Sequence, residues 1–196
     1  KTNNSCGDNC KWIFDEKTKT LFIRGRGEMK DYGFKNGTLT TPWSSKREQI
    51  ENVVISEGIT TIGESEFFGC SSLTSITIPE SMASISGWGF CSCSKLTSIN
   101  IPKNVKEIGQ GAFIDCSNLS TITVDEKNEH FKSVDNVLFT KDGTKLIQYA
   151  PAKTETSYII PDGVVVITTS GFSGCSHLES ITIPDSVTTI EDFAFN

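Results

Sequence analysis

Large apolar residues return with a period of 23 from Ile50 onward. Ile50, Leu73, Leu96 and Leu119 open four successive units, and Glu155 and Leu178 open two more after one unit of 36 residues. Three positions later stand Val53, Ile76, Ile99, Ile122, Tyr158 and Ile181, and five later Ile55, Ile78, Ile101, Val124, Ile160 and Ile183. Positions two apart leave one face of a strand, so each unit predicts a short strand with an apolar side. Pro79, Pro102, Pro161 and Pro184 follow directly, and without an N–H for the ladder they end it. A second short extended stretch is predicted around Ile62, Ile85, Ile108, Ile167 and Ile190. A turn then carries Phe67, Phe90, Phe113, Phe172 and Phe195 inward, with Cys70, Cys93, Cys116 and Cys175 three residues on. No unit buries these side chains alone. Neighbours must stack, and the pattern predicts a parallel-stranded solenoid.

The long unit, residues 119–154, carries a 13-residue insertion. Val137-Leu138-Phe139 and Lys145 to Tyr149, joined across Asp142-Gly143, predict a β-hairpin. Counted back from Glu155, Tyr149 falls on the Phe position and Ala152 on the Cys position, so the unit still closes its core. Residues 1–49 lack the repeat. There Trp12, Phe14, Leu21 and Ile23 alternate about a turn at Glu16 to Lys19, which predicts another hairpin, and Pro42-Trp43 leads into one helical turn. These residues are read as an N-terminal capping module for the solenoid of residues 50–196. At the other end the repeat stops mid-unit at Asn196, and the expectation is a fragment of a longer array. The chain opens at Lys1 without Met or an apolar leader, so a secretion signal is expected to have been removed or left out.

Charge marks the same boundary: residues 1–49 carry +4 and residues 50–196 carry −10. With a net charge of −6 and a pI near 5.0, the chain lacks the basic face that phosphate neutralisation needs, so no nucleic-acid partner is expected. No apolar run is long enough to span a bilayer, and no direct membrane insertion is expected from this segment. Arg24-Gly-Arg26-Gly ends a hairpin strand in an acidic protein and is discounted as an RNA-type segment.

Units such as Leu73-Thr-Ser-Ile-Thr-Ile-Pro79 with Ile85, Phe90 and Cys93 resemble the BspA-like leucine-rich repeats of microbial surface proteins. The stretch from Phe131 to Pro161 resembles that family's inserted hairpin, and Cys6-Gly7-Asp8-Asn9 with Trp12 and Pro42-Trp43 its N-terminal module. The resemblance implies a right-handed, β-rich α/β solenoid with an N-terminal hairpin cap. It further implies a cell-surface or secreted protein acting in adhesion to host extracellular matrix or cell-surface protein, or to glycan. It carries over no functional residues. Two departures from the pattern stand out: Glu155 replaces an apolar residue, and Trp88 and Cys91 have no counterpart in neighbouring units.

The outward positions of the first strand are Asn52/Val54, Ser75/Thr77, Ser98/Asn100, Thr121/Thr123, Ser157/Ile159 and Ser180/Thr182, a Ser/Thr/Asn field with little charge. It reads either as a solvated strand face or as a hydrogen-bonding surface for a large partner. The candidate partner-binding residues are Ser75, Thr77, Ser98, Asn100, Thr121, Thr123, Ile159, Ser180 and Thr182, with Trp88 as an anchor or a gap filler beside Gly87 and Gly89. Glu57, Glu80, Glu126, Asp162 and Asp185 form an acidic row broken by Lys103. This is turn chemistry, or a rim for a basic partner or a weak divalent cation.

The repeat-register cysteines read as small buried hydrophobes, and Cys6 and Cys10 as a candidate disulfide in an oxidising compartment. Cys91-Ser-Cys93 has no second pair for zinc. No cofactor, metal site or catalytic residue is assigned: His130 and His177 are the only imidazoles, and neither sits in a catalytic signature. Asn3, Asn36 and Asn118 begin Asn-x-Ser/Thr sequons, which matter only in a secreted eukaryotic chain. The expectation is an adhesion or interaction module, with a structural spacer as the alternative.

Overall fold

A computed structural model describes residues 4–196, so the sequon at Asn3 lies outside the described residues. β1 (Cys10–Asp15) and β2 (Thr20–Gly25) form an antiparallel hairpin whose turn places Lys19 at φ 53°. A second, two-residue hairpin joins β3 (Phe34–Lys35) and β4 (Thr38–Leu39) across Asn36-Gly37, both at positive φ. Ser44–Lys46 is a single 3-10 turn.

Each later unit supplies a strand to each of two parallel rows. β5 (Asn52–Ile55) and β6 (Thr61–Ile62) come from the first unit, and β7 (Ser75–Thr77) and β8 (Ser84–Ile85) from the second. β9 (Ser98–Ile101) and β10 (Glu107–Ile108) follow from the third. The long unit holds β11 (Thr121–Val124), β12 (Phe131–Val134), β13 (Val137–Thr140) and β14 (Lys145–Tyr149). The last two units give β15 (Ser157–Ile159), β16 (Val166–Ile167), β17 (Ser180–Thr182) and β18 (Thr189–Ile190).

Strands meet in register at the repeat period, as Val53 with Ile76, Ile99 with Ile122 and Tyr158 with Ile181 show. The stacked units thus bury like against like. Trp43, Phe67, Phe90 and Phe113 stack at centroid spacings of 6.1, 5.6 and 5.8 Å. Past the insertion, Tyr149, Phe172 and Phe195 continue the column at 5.4 and 5.3 Å, so Tyr149 stands in the Phe row. The hairpin module extends the first row: β2 pairs in parallel with β5, and Trp43 heads the aromatic column.

The α component of the expected α/β solenoid is absent among the described residues beyond the Ser44–Lys46 turn. Outside the long unit, the return from each second strand is a tight turn, with Ser65, Trp88, Gly111, Ser170 and Phe193 at φ between 53° and 66°. A left-handed residue every turn closes the coil without room for a helical stretch. The fold is therefore a β-solenoid.

Candidate interaction surface

The first row runs β2-β5-β7, then β9-β11, then β15-β17, three ladders rather than one continuous sheet. Inward residues Val53, Ile55, Ile99, Ile101, Ile122 and Ile160 are buried. Outward, Ser75, Thr77, Ser98, Asn100, Thr123, Ser180 and Thr182 are exposed, Thr121 is half-buried, and Ile159 is 72% exposed. Some of this polarity is satisfied within the face. Ser75 Oγ donates to Asn52 Oδ1 at 2.7 Å, and Thr123 Oγ1 to Asn100 Oδ1 at 2.8 Å.

The insertion breaks the face between β11 and β15. Its tight turn at Asp135-Asn136, both at positive φ, meets β11, where Ile122 N–H donates to Asn136 Oδ1 at 3.2 Å and Ser133 Oγ donates to Ile122 C=O. Side chains of the insertion thereby cap the strand edge that the next unit would otherwise pair. Asn128 pins the base of the insertion: its buried Nδ2 reaches the carbonyls of Pro102 and Val105 at 2.9 and 3.0 Å, and its Oδ1 accepts from the amides of His130 and Phe131. Sequence reasoning missed Asn128, Ser133 and Asn136, because none occupies a repeating position. β12 was missed with them.

Glu155 points outward instead of filling the core and lies 3.5 Å from Lys153 Nζ, which also meets Asp135 at 3.2 Å. Trp88 belongs to the turn column, away from the strand face. Its indole lies against Gly111, where an added Cβ would fall 3.0 Å from Nε1. Within the acidic row, Lys103 pairs with Glu80 at 3.2 Å. Asn118, a candidate sequon, spends its side-chain amide on the Ser94 carbonyl at 2.7 Å. His130 and His177 are exposed, and neither imidazole makes a hydrogen bond among the described residues.

The cysteine column is structural in its contacts. Cys93 Sγ donates to the Phe67 carbonyl at 3.2 Å and Cys116 Sγ to the Phe90 carbonyl at 3.1 Å, each one unit back. Burial pushes the Cys70 and Cys116 thiols up to about 12 and Cys93 well above its ordinary value. Thiolate is the reactive form, so at pH 8 these three are expected to alkylate at least ~100-fold more slowly in the folded chain than in denaturant. Mass spectrometry of iodoacetamide adducts reads this directly, and equal rates would contradict the buried column. Cys6 and Cys10 are different: their sulfurs face each other at 3.4 Å inside the N-terminal module.

Among the described residues no group of three or more metal-ligating side chains forms, and no helix is long and apolar enough to cross a membrane. Comparison with known proteins follows the same lines as the geometry. No curated protein matches the chain. A crystallised leucine-rich repeat protein from Eubacterium ventriosum is 28% identical with a TM-score of 0.59, covering 97% of this chain and 62% of that one. The pneumococcal vaccine antigen PcpA shares the fold at 20% identity and a TM-score of 0.69, covering 99% of this chain and 67% of that one. The chain thus spans about two thirds of the length of either. The BspA-type leucine-rich repeat region matches residues 44–150 and 144–196 in six copies. With that match over most of its length, and the stacked units that account for it, this chain belongs to the BspA-type leucine-rich repeat family.

Proposed function

We propose that the chain is a non-catalytic interaction module of a cell-surface or secreted protein, which binds a host matrix or cell-surface protein, or a glycan, through its first-row strand face. The observation that carries this reading is the run of exposed, nearly uncharged Ser, Thr and Asn side chains held at strand spacing: Ser75 and Thr77, Ser98 and Asn100, Thr123, then Ser180 and Thr182. A rigid, regular row of donors and acceptors engages a large partner at low ordering cost. Thr121 and Ile159 on the same face are secondary candidates, and Trp88 is a separate one in the turn column.

The test is adhesion of the purified chain to immobilised matrix proteins and host cells beside a variant carrying Thr77→Lys, Asn100→Lys and Thr123→Lys. A loss of at least ~10-fold in binding is expected, since three long side chains would bury unpaired charge at the contact. A second reading, a spacer that projects another domain, draws on the Ser75–Asn52 and Thr123–Asn100 hydrogen bonds, which satisfy part of the face internally. It requires that neither protein adheres.

In the oxidising setting of a secreted protein, we also propose that Cys6 and Cys10 form a disulfide. Thiol counting on unreduced, denatured chain is expected to find five of the seven cysteines free. Closing so short a loop contributes about 2 kcal/mol in the chain-entropy picture. Seven free thiols in oxidised, secreted material would contradict the pairing.

A further inference from the structure

Stacked units join through the same backbone atoms at each regular step. Along the second strand, the carbonyls of Thr60 and Ile62 accept from the amides of Ala83 and Ser86, and those of Ala83 and Ile85 accept from Lys106 and Gly109. Along the Phe turn, the amides of Trp88, Phe90 and Ser92 donate to the carbonyls of Gln110, Ala112 and Ile114. The third unit breaks this rule on its far side. There the carbonyls of Lys106 and Ile108 accept nothing, and the amides of Gly111, Phe113 and Asp115 donate to no backbone acceptor among the described residues.

The cause is the insertion. In the long unit, β14 runs straight through the position where other units turn, and its near edge is taken by β13. A cleft of about 360 Å³ opens at the break. Lys106, Ile108, Gly111 and Phe113 line one side, and Phe131 and Ile147 line the other. Its rim carries both signs of charge, Lys106 and Lys145 with Glu107 and Glu191. The open edge and the cleft share Lys106, Ile108, Gly111 and Phe113, and Asp115 lies just beyond the cleft.

We propose that this edge docks an extended peptide segment of a protein partner, completing the ladder from outside. Its carbonyls take the place of those that accept from the turn amides elsewhere, and its amides donate to Lys106 and Ile108. An unpaired edge is a template for such strand addition, with affinity from the main chain and selectivity from side-chain pockets. Here the flanking apolar groups are Ile108, Phe131 and Ile147. The site is separate from the first-row face and does not depend on it.

A synthetic peptide copying residues 104–114 is the probe, because in the intact chain that segment supplies the matching amides and carbonyls to the second unit. Amide hydrogen exchange on the whole chain reads the outcome. In the free protein, Gly111, Phe113 and Asp115 are expected to exchange at least ~100-fold faster than Trp88, Phe90 and Ser92, and saturating peptide to slow them at least ~10-fold. A peptide N-methylated at the Lys106 and Gly109 amides is expected to have no effect, and Ile147→Trp, which fills the cleft, to weaken binding at least ~10-fold. The Thr77→Lys, Asn100→Lys, Thr123→Lys variant is expected to bind the peptide normally, so loss of the strand-face reading leaves this one intact. The proposal is overturned by equal protection of the two sets of amides in the free chain. It is equally overturned if the peptide leaves exchange unchanged, or if the N-methylated peptide protects as well as its parent.

Discussion

Phe90→Ala is expected to lower the stability of the chain by about 3–5 kcal/mol, the range for truncating a buried aromatic. Phe90 is fully buried between Phe67 at 5.6 Å and Phe113 at 5.8 Å, and the Phe90 carbonyl also receives the Cys116 thiol. Removing the ring leaves a void in the middle of a column in which each unit touches only its neighbours, so few contacts can collapse into it. Phe195→Ala is the internal control. Phe195 occupies the same register but is 46% exposed, with one ring partner, and its loss is expected to cost about 1–2 kcal/mol. Urea unfolding of both variants separates the cases. Equal losses would mean that the column is not what holds the units together.

The second large effect lies at Glu66. Its register position is filled by Gly89, Ala112, Gly171 and Ala194 in other units and by Gln148 in the long one. Glu66 is fully buried, and neither carboxyl oxygen has a partner among the described residues. Burial first, and the nearby Asp31 carboxylate second, hold this carboxyl well above its ordinary range. The Cys6 and Cys10 thiols, Tyr32 and Cys70 share its surroundings and add no positive charge. In the unfolded chain the group ionises at the ordinary value of about 4.3. Because folding raises the pKa, this contribution to stability is complete below that value and is lost as pH rises through the native one.

Gln148 shows how an amide in this register finds partners, since its Nε2 donates to the carbonyls of Tyr149 and Gly171 at 2.7 and 3.5 Å. Glu66→Gln is therefore expected to match the parent near pH 4 and exceed it by at least about 1.4 kcal/mol at pH 8, because the unfolded parent gains the ionisation that burial withholds from the folded one. Thermal unfolding at the two pH values checks this. A parent and variant that differ by the same amount at both would show that Glu66 does not titrate with folding.

Period and register were legible in the sequence because each repeated position is set by burial against the same position one unit away. Even the switch from Phe to Tyr149 could be counted across the insertion. The seating of the insertion was not legible: Asn128, Ser133 and Asn136 bond to backbone groups of the third and fourth units, and any polar side chain of suitable length could occupy those positions in a sequence reading. The break in the strand face between β11 and β15 follows from that seating and was hidden with it; the break between β7 and β9 lies outside the insertion. Trp88 was conspicuous in sequence as an unmatched aromatic, yet its left-handed backbone sends the side chain onto Gly111 in the turn column. The expected α component failed for a local reason, the single left-handed residue that closes each coil.

The proposed function rests on the strand face, and one comparison tests it most directly. Binding to the same immobilised matrix protein or cell surface is measured for the parent, for Thr77→Lys, Asn100→Lys, Thr123→Lys, and for Ser45→Lys, Ser117→Lys, Ser176→Lys. Both variants gain the same charge at exposed positions, the second away from the first-row strands. The account expects at least ~10-fold loss for the strand-face variant and unchanged binding for the other. Equal binding by all three, or equal loss in both variants, would contradict a site on the strand face.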